Sequence, residues 1–244
     1  MADRVRTSRS LRASIIWDAL AEVLADAADM VDVVDVGGGT GGFAVPLAEL
    51  GHRVTVVDPS PDALASLARR AGEVGVQVRA VQGDAAGLLD VVPAEGADLL
   101  LCHGVLEHVD DVEPAVAALA RVLRPDGTLS VVVANRNAVV LARAIAGHFT
   151  EARHALDDPA GRWGPGDPLP RRFTEDQLVT VLAAAGLAVR SVHGVRSFTD
   201  LVPGALADAQ PGAAQALHDL EVATADRAGF RAIATQLHVL AGKS

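Results

Sequence analysis

The chain has 244 residues, half of them hydrophobic, with no Tyr and a single Cys. That length suits one α/β domain with a sizeable core. One cysteine excludes an internal disulfide, no apolar run reaches the ~18–20 residues of a membrane span, and no apolar leader follows the polar start with Arg4, Arg6 and Arg9, so a cytoplasmic protein is expected.

The formal charge is −10, which as a sum argues against nucleic acid. Its distribution is uneven. Residues 15–135 hold nineteen acidic against six basic groups, residues 1–14 hold four Arg against Asp3, and residues 136–200 hold eight basic against seven acidic. Two sections are therefore neutral to basic and open to an anion.

Apolar residues at helical spacing (Leu11, Ile15, Ile16, Leu20, Val23, Leu24) predict an N-terminal helix over about 10–25. Strand and helix then alternate. Strands are expected at Val31–Val36, Arg53–Val57, Val76–Val81, Ala97–Cys102 and Thr128–Val133. Helices are expected at Phe43–Leu50, Pro61–Ala71 and Val112–Leu123. Ala97–Cys102 is continuously apolar, the mark of a strand covered on both faces, and Cys102 reads as a small buried residue. Short connections between such elements imply a doubly wound parallel sheet. Ligands of these sheets bind beyond the carboxyl ends of the strands, which singles out Gly37–Gly42, Asp58, Asp84, His103 and Asn135.

After Asn135 the pattern changes. Ala138–Ala146 is an expected helix, and His148–Arg172 is rich in Gly, Pro and charge without periodicity. A loop of that length is usually functional, so a substrate or lid insertion is expected at about 136–173. Thr174–Ala185 reads as a helix with Thr174 as N-cap. Leu187–His193 and Gln236–Ala241 read as the last strands, with a helical Gly212–Arg227 between them.

Val33–Gly42 places a glycine-dense turn between strand and helix, where the backbone can take φ > 0 and meet a ligand without a Cβ. The spacing Gly37-x-Gly39-x-Gly41 suits an S-adenosylmethionine loop. The spacing Gly37-x-Gly39-x-x-Gly42 satisfies the dinucleotide fingerprint. Asp58, about 20 residues on, can accept hydrogen bonds from the ribose hydroxyls of either cofactor.

Further segments separate the two. Val81-Gln82-Gly83-Asp84-Ala85, Ala97–Val109 and Leu123-Arg124-Pro125-Asp126-Gly127-Thr128-Leu129, together with the glycine loop, resemble four motifs of the class I S-adenosylmethionine-dependent methyltransferases, in that family's order. The resemblance implies a Rossmann-like, doubly wound seven-stranded α/β sheet whose final strand is antiparallel, in a single domain. Outside the cofactor core, Leu11–Trp17, Ala134–Ala138 and Gly194–Asp200 resemble the tRNA 5-carboxymethoxyuridine methyltransferase family, which esterifies the carboxymethoxy group of a wobble uridine.

The resemblance implies the following roles. Arg12 binds the methionine carboxylate, and Gly37, Gly38 and Gly39 approach the methionine end. Asp58 binds the ribose. Ala85 and Ala86 bind adenine through the backbone, helped by Asp84, and His103 hydrogen-bonds cofactor or acceptor. Asn135 belongs to the substrate side. Arg171 and Arg172 could meet the phosphates of a tRNA anticodon loop. Arg196 is the best clamp for an acceptor carboxylate, because a guanidinium pairs bidentately with that group. Glu107 and His108 look like an acid–base pair, but by resemblance they open a helix. No metal constellation appears among the eight histidines and one cysteine.

An ionised carboxylate needs no general base, so the lack of a convincing base agrees with esterification. A small-molecule carboxylate or amine is the competing acceptor. A non-catalytic S-adenosylmethionine-binding regulator and a nicotinamide dehydrogenase are the remaining readings.

Overall fold

The structure, a computed structural model, describes residues 13–25, 27, 30–203 and 212–243. Its elements in chain order are α1 (Ser14–Ala25), β1 (Asp32–Val36), α2 (Ala44–Glu49), β2 (Arg53–Asp58), α3 (Pro61–Val74), β3 (Val78–Gln82), α4 (Leu88–Val91), β4 (Ala97–His103), α5 (Val112–Val122), β5 (Leu123–Ala134), α6 (Arg136–Ile145), α7 (Phe149–Asp157), α8 (Glu175–Ala184), β6 (Leu187–Val195), α9 (Ala213–Thr224), α10 (Ala228–Arg231) and β7 (Gln236–Lys243). The part of the N-terminal helix expected before Ala13, with Arg12, lies outside the described residues.

The strands form one seven-stranded mixed sheet in the order β3-β2-β1-β4-β5-β7-β6, with the final strand antiparallel. β1 runs parallel to β2 and β4, and β2 to β3. The register pairs Val36 with Val57 and with Cys102, and Asp58 with Gln82. The chain therefore leaves four strands at nearly one level, so Gly37, Asp58, Gly83 and His103 share an edge.

The described residues fall into two compact units. One lies within Glu22–Val131, Val179–Ser191 and Val239–Ser244, the other within Met1–Ala21, Val132–Leu178 and Val192–His238. In the first, β4 is sealed: Leu99, Leu100, Leu101 and Cys102 are buried, as a central parallel strand requires. α3 starts with Ser60 accepting from Ala63 N (3.2 Å) and Pro61 in its first turn, and stops at Gly75 in the left-handed region. At the amino ends of the strands, Arg53 clamps Asp32 through two bonds (2.6 and 2.8 Å), and Arg124 bridges Asp32 and Asp98 (2.9 and 2.6 Å). These pairs are partly exposed, so each contributes little by itself. The two guanidinium groups still hold the Asp32 carboxyl down at about 2.

One expectation shifts here. The fifth strand, expected at Thr128–Val133, already begins at Leu123. Gly127 makes this possible, since a Cβ there would lie 2.8 Å from Leu123 Cδ1 and 3.0 Å from the Asp98 carbonyl.

In the second unit, His148–Arg172 is not a long loop throughout, because α7 occupies Phe149–Asp157. Its buried stripe consists of Ala152 and Ala155 alone, a contrast too weak to register as periodicity. α6 and α7 pack together around the turn at Gly147. The remaining loop is closed from inside. Arg172 is 8% exposed and donates to both oxygens of Asp167 (2.6 and 2.9 Å) and to Gly161 O (3.1 Å). Asp167 also accepts from Trp163 N and Leu169 N. Arg143 lies over the Trp163 ring at 3.8 Å. α8 opens with a reciprocal pair: Thr174 Oγ1 accepts from Gln177 N (3.3 Å), and Gln177 Oε1 accepts from Thr174 N (2.9 Å).

Candidate active site

The glycine loop is built around three left-handed residues, Gly37 (φ +70), Gly39 (φ +53) and Gly41 (φ +82). A Cβ on Gly37 would strike Val105 Cγ2, one on Gly41 would strike Leu67 Cδ1, and one on Gly38 would lie 2.5 Å from Asp35 Oδ2. Gly42 has neither constraint: its φ is not positive, and nothing lies within 4 Å of a Cβ there. The backbone therefore uses the Gly37-x-Gly39-x-Gly41 spacing. The last glycine of the dinucleotide fingerprint, which serves close helix–strand packing, has no such duty here.

Asp58 ends β2 and is 7% exposed. Its Oδ2 accepts from Gly39 N (2.9 Å) and its Oδ1 from Ser60 N (2.9 Å). One carboxylate thus fixes the loop and its own turn while lining the neighbouring cleft. Below it, Asp35 is buried, and that desolvation, helped by the charge of Asp58, pushes its carboxyl up to about 7. Asp84 turns the chain after β3 by accepting from Gly87 N (2.8 Å).

The cleft has a volume of about 600 Å³, within the usual range for a small-molecule site. Gly37, Asp58, Asp84, Ala85 and Ala86 all line it, so five of the expected cofactor residues meet at one cleft. Val105, His108, Val109, Asp110, Asp111, Pro114 and Ala115 line it as well. Of these residues the sequence singled out only His108, as half of an apparent acid–base pair. The apolar ones lie in the segment after β4 and at the start of α5, and Asp111 is the N-cap of α5. A wider groove of about 1110 Å³ opens at the amino ends of the strands, but its Arg53 and Arg124 are held by Asp32 and Asp98.

Three expected site residues are committed elsewhere. His103 is not part of the cleft wall. Its Nε2 pairs with Ser130 Oγ (2.8 Å), its ring stands edge-on to Phe43, and burial lowers its pKa to about 3, so the imidazole is neutral. Asn135 is 2% exposed. Its Nδ2 donates to the carbonyls of Arg231, Ala232 and Ala234, and its Oδ1 caps α6 through Asn137 N. With both ends of the amide engaged, Asn135 joins β5, α6 and the α10–β7 turn and has no arm for substrate. Arg172 is the internal partner of Asp167 and is not on offer to a phosphate.

Arg171 is half-buried. Arg196 follows β6 in the left-handed region (φ +62), with Nε 3.4 Å from Asp200 Oδ2. Both belong to the second unit, as Asn135 and Arg172 do, whereas every residue lining the cleft belongs to the first.

A model of the methyltransferase domain family matches residues 34–131. The tRNA 5-carboxymethoxyuridine methyltransferase of Escherichia coli O157:H7 is 30% identical, aligned over 97% of this chain and 90% of its own length. The chain belongs to the class I S-adenosylmethionine-dependent methyltransferases.

The methyltransferase is also 33% identical to the ubiquinone biosynthesis O-methyltransferase of Methylocella silvestris, over 67% of this chain and 60% of that one. Among solved structures, an S-adenosylmethionine-dependent methyltransferase from Mesorhizobium loti superposes with a TM-score of 0.62 at 20% identity, covering 95% of this chain and 99% of that one. Magnesium protoporphyrin IX methyltransferase from Synechocystis, with bound S-adenosylhomocysteine, gives 0.63 at 17%, covering 96% and 83%. Both confirm the fold. The cofactor of the methyltransferase is S-adenosylmethionine, and the cleft fits it: Gly37 brings bare backbone to its lining, and the carboxylate of Asp58 beside it can accept from hydroxyls.

Proposed function

We propose that this methyltransferase esterifies the carboxymethoxy group of a modified wobble uridine in tRNA. The observation that carries the reading is the reach of the likeness. The two Escherichia coli tRNA 5-carboxymethoxyuridine methyltransferases align over 97% of the chain, against 67% for the ubiquinone biosynthesis relatives. The longer alignment takes in the segments that follow the cofactor core.

Bound S-adenosylmethionine supplies an electrophilic methyl group on a sulfonium. The chain's task is to hold donor and acceptor in line at attack distance. On this reading the backbone at Gly37, Gly38 and Gly39 receives the methionine end, Arg12 its carboxylate, Asp58 the ribose, and Ala85 and Ala86, beside Asp84, the adenine. The region 136–173 serves as the acceptor-facing insertion, with Arg171 toward phosphate. Arg196 pairs the acceptor carboxylate. No proton has to be removed, because the carboxylate is ionised at neutral pH. The neutral His103 is accordingly not asked to act as a base.

Labelled S-adenosylmethionine incubated with tRNA that carries 5-carboxymethoxyuridine tests the proposal. Alkali-labile label in the RNA is expected; no transfer to that tRNA would overturn it. A small-molecule carboxylate or amine as acceptor is the second reading, supported by the ubiquinone biosynthesis relatives and the acidic charge of residues 15–135. Label recovered in a small-molecule fraction would favour it.

A further inference from the structure

Beyond β6 the chain bends at Arg196 and enters one helical turn, with Leu201 N and Val202 N both donating to Phe198 O (2.8 and 2.9 Å). The amides that open this turn converge on one side chain, Glu221 of α9. Its Oε2 accepts from Ser197 N (2.8 Å). Its Oε1 accepts from Phe198 N (3.0 Å), Thr199 N (2.8 Å) and Thr199 Oγ1 (2.7 Å). Glu221 is 5% exposed. Burying a carboxylate is costly unless its lone pairs are filled; here all four of these contacts come from the same short loop.

The residue in front of these amides is Arg196, whose positive φ is a conformation that side chains adopt only when the surroundings hold it. Two anchors flank it. Its carbonyl accepts from Thr235 N (3.3 Å) and Thr235 Oγ1 (3.1 Å), and the next amide is the one held by Glu221 Oε2. Phe198 in the same loop rests against Phe230 with ring centroids 5.6 Å apart.

We infer that Glu221 is a positioning residue for acceptor recognition, holding loop 196–200 in the conformation that presents Arg196. This rests on the reading of Arg196 as the clamp for the acceptor carboxylate. Glu221 acts through the backbone: it holds the N–H side of the peptide after Arg196, whose carbonyl side Thr235 holds. Its charge is what matters. Glu221→Gln keeps the shape, but its amide nitrogen would face an N–H donor wherever it pointed. The better rotamer keeps the three Oε1 contacts and loses Ser197 N, the anchor beside Arg196.

The test is methyl transfer to tRNA carrying 5-carboxymethoxyuridine at saturating cofactor, with hydrogen exchange followed at residues 197–199. Glu221→Gln should raise KM for tRNA about tenfold, leave kcat within about twofold, leave the Kd for S-adenosylmethionine unchanged, and speed exchange of those amides. In an Arg196→Ala background the same substitution should add nothing further to KM. A wild-type KM in Glu221→Gln, or effects that multiply in the double variant, would overturn the inference while leaving the tRNA reading intact. Wild-type protein that transfers nothing to this tRNA overturns the reading and the acceptor role together. Should Glu221→Gln not fold, Thr199→Val removes only the hydroxyl contact, and a rise in KM of about threefold is expected; no rise would overturn the inference.

Discussion

Asp58 shows how much work one side chain can do at the edge of this sheet. Its two oxygens already hold Gly39 N and Ser60 N, and the remaining lone pairs line the cleft. Asp58→Ala should weaken S-adenosylmethionine binding by roughly 1–3 kcal/mol, the cost of leaving buried polar partners unmatched, as read by calorimetry. Unchanged affinity would remove Asp58 from the ribose role.

Asp35 beneath it makes a second prediction. Its carboxyl lies at about 7 in the fold against 3.8 as the ordinary value, mainly through burial. The folded state keeps a proton that the unfolded chain has lost, so the stability from this group is full below about pH 4 and disappears as pH rises through 7. Urea unfolding of wild type between pH 5 and 8 should show that loss, and Asp35→Asn should remove it. Equal slopes in the two proteins would contradict it.

Residue types and spacing singled out the glycines, Asp58 and Asp84, the family resemblance added Ala85 and Ala86, and the structure sets Gly37, Asp58, Asp84, Ala85 and Ala86 around one cleft. Residue types and spacing did not disclose that His103 and Asn135 are spent on Ser130 and on backbone carbonyls. What satisfies a polar side chain is decided by tertiary neighbours up to a hundred residues away, and nothing local records it.

At the scale of elements, alternation of apolar strands and capped helices made the parallel half legible, and the boundaries moved little. The second unit was harder to read. α7 buries only two alanines, and 158–172 is held by a buried ion pair and backbone contacts in place of an apolar stripe. A salt bridge closing its own loop leaves no periodic trace.

The adjacent arginines of that loop should therefore differ in what their loss costs. Arg172→Ala leaves Asp167 buried and unpaired, a change that typically costs about 3–5 kcal/mol. Asp167 also holds Trp163 N and Leu169 N, so the loss should appear as a lower melting temperature. Arg171 is only half-buried, so Arg171→Ala should cost less stability than Arg172→Ala and should raise KM for tRNA. Matching effects from the two variants would show that the loop does not divide its arginines in this way.

For the whole molecule, charge sets the limit on how tRNA can be held. The net charge is −10, and nineteen of the thirty-one acidic groups lie in residues 15–135. Of the basic groups in 136–172, Arg143, Arg153 and Arg172 are already paired with Glu151, Asp157 and Asp167. On the proposed reading, binding to tRNA would rest on few phosphate contacts and on recognition of the modified base. Each phosphate contact on a single strand contributes a slope of about −0.7 in log K against log salt. Two contacts predict that KM for tRNA rises only about sevenfold between 50 and 200 mM salt, while the Kd for S-adenosylmethionine stays nearly constant. Six contacts would give a loss of about 300-fold over the same range, which the paired arginines do not support. Salt titration of KM for tRNA therefore measures how much of the basic surface reaches the nucleic acid. A steep slope would mean that the ion pairs open on binding, and a slope near zero would point to a small-molecule acceptor.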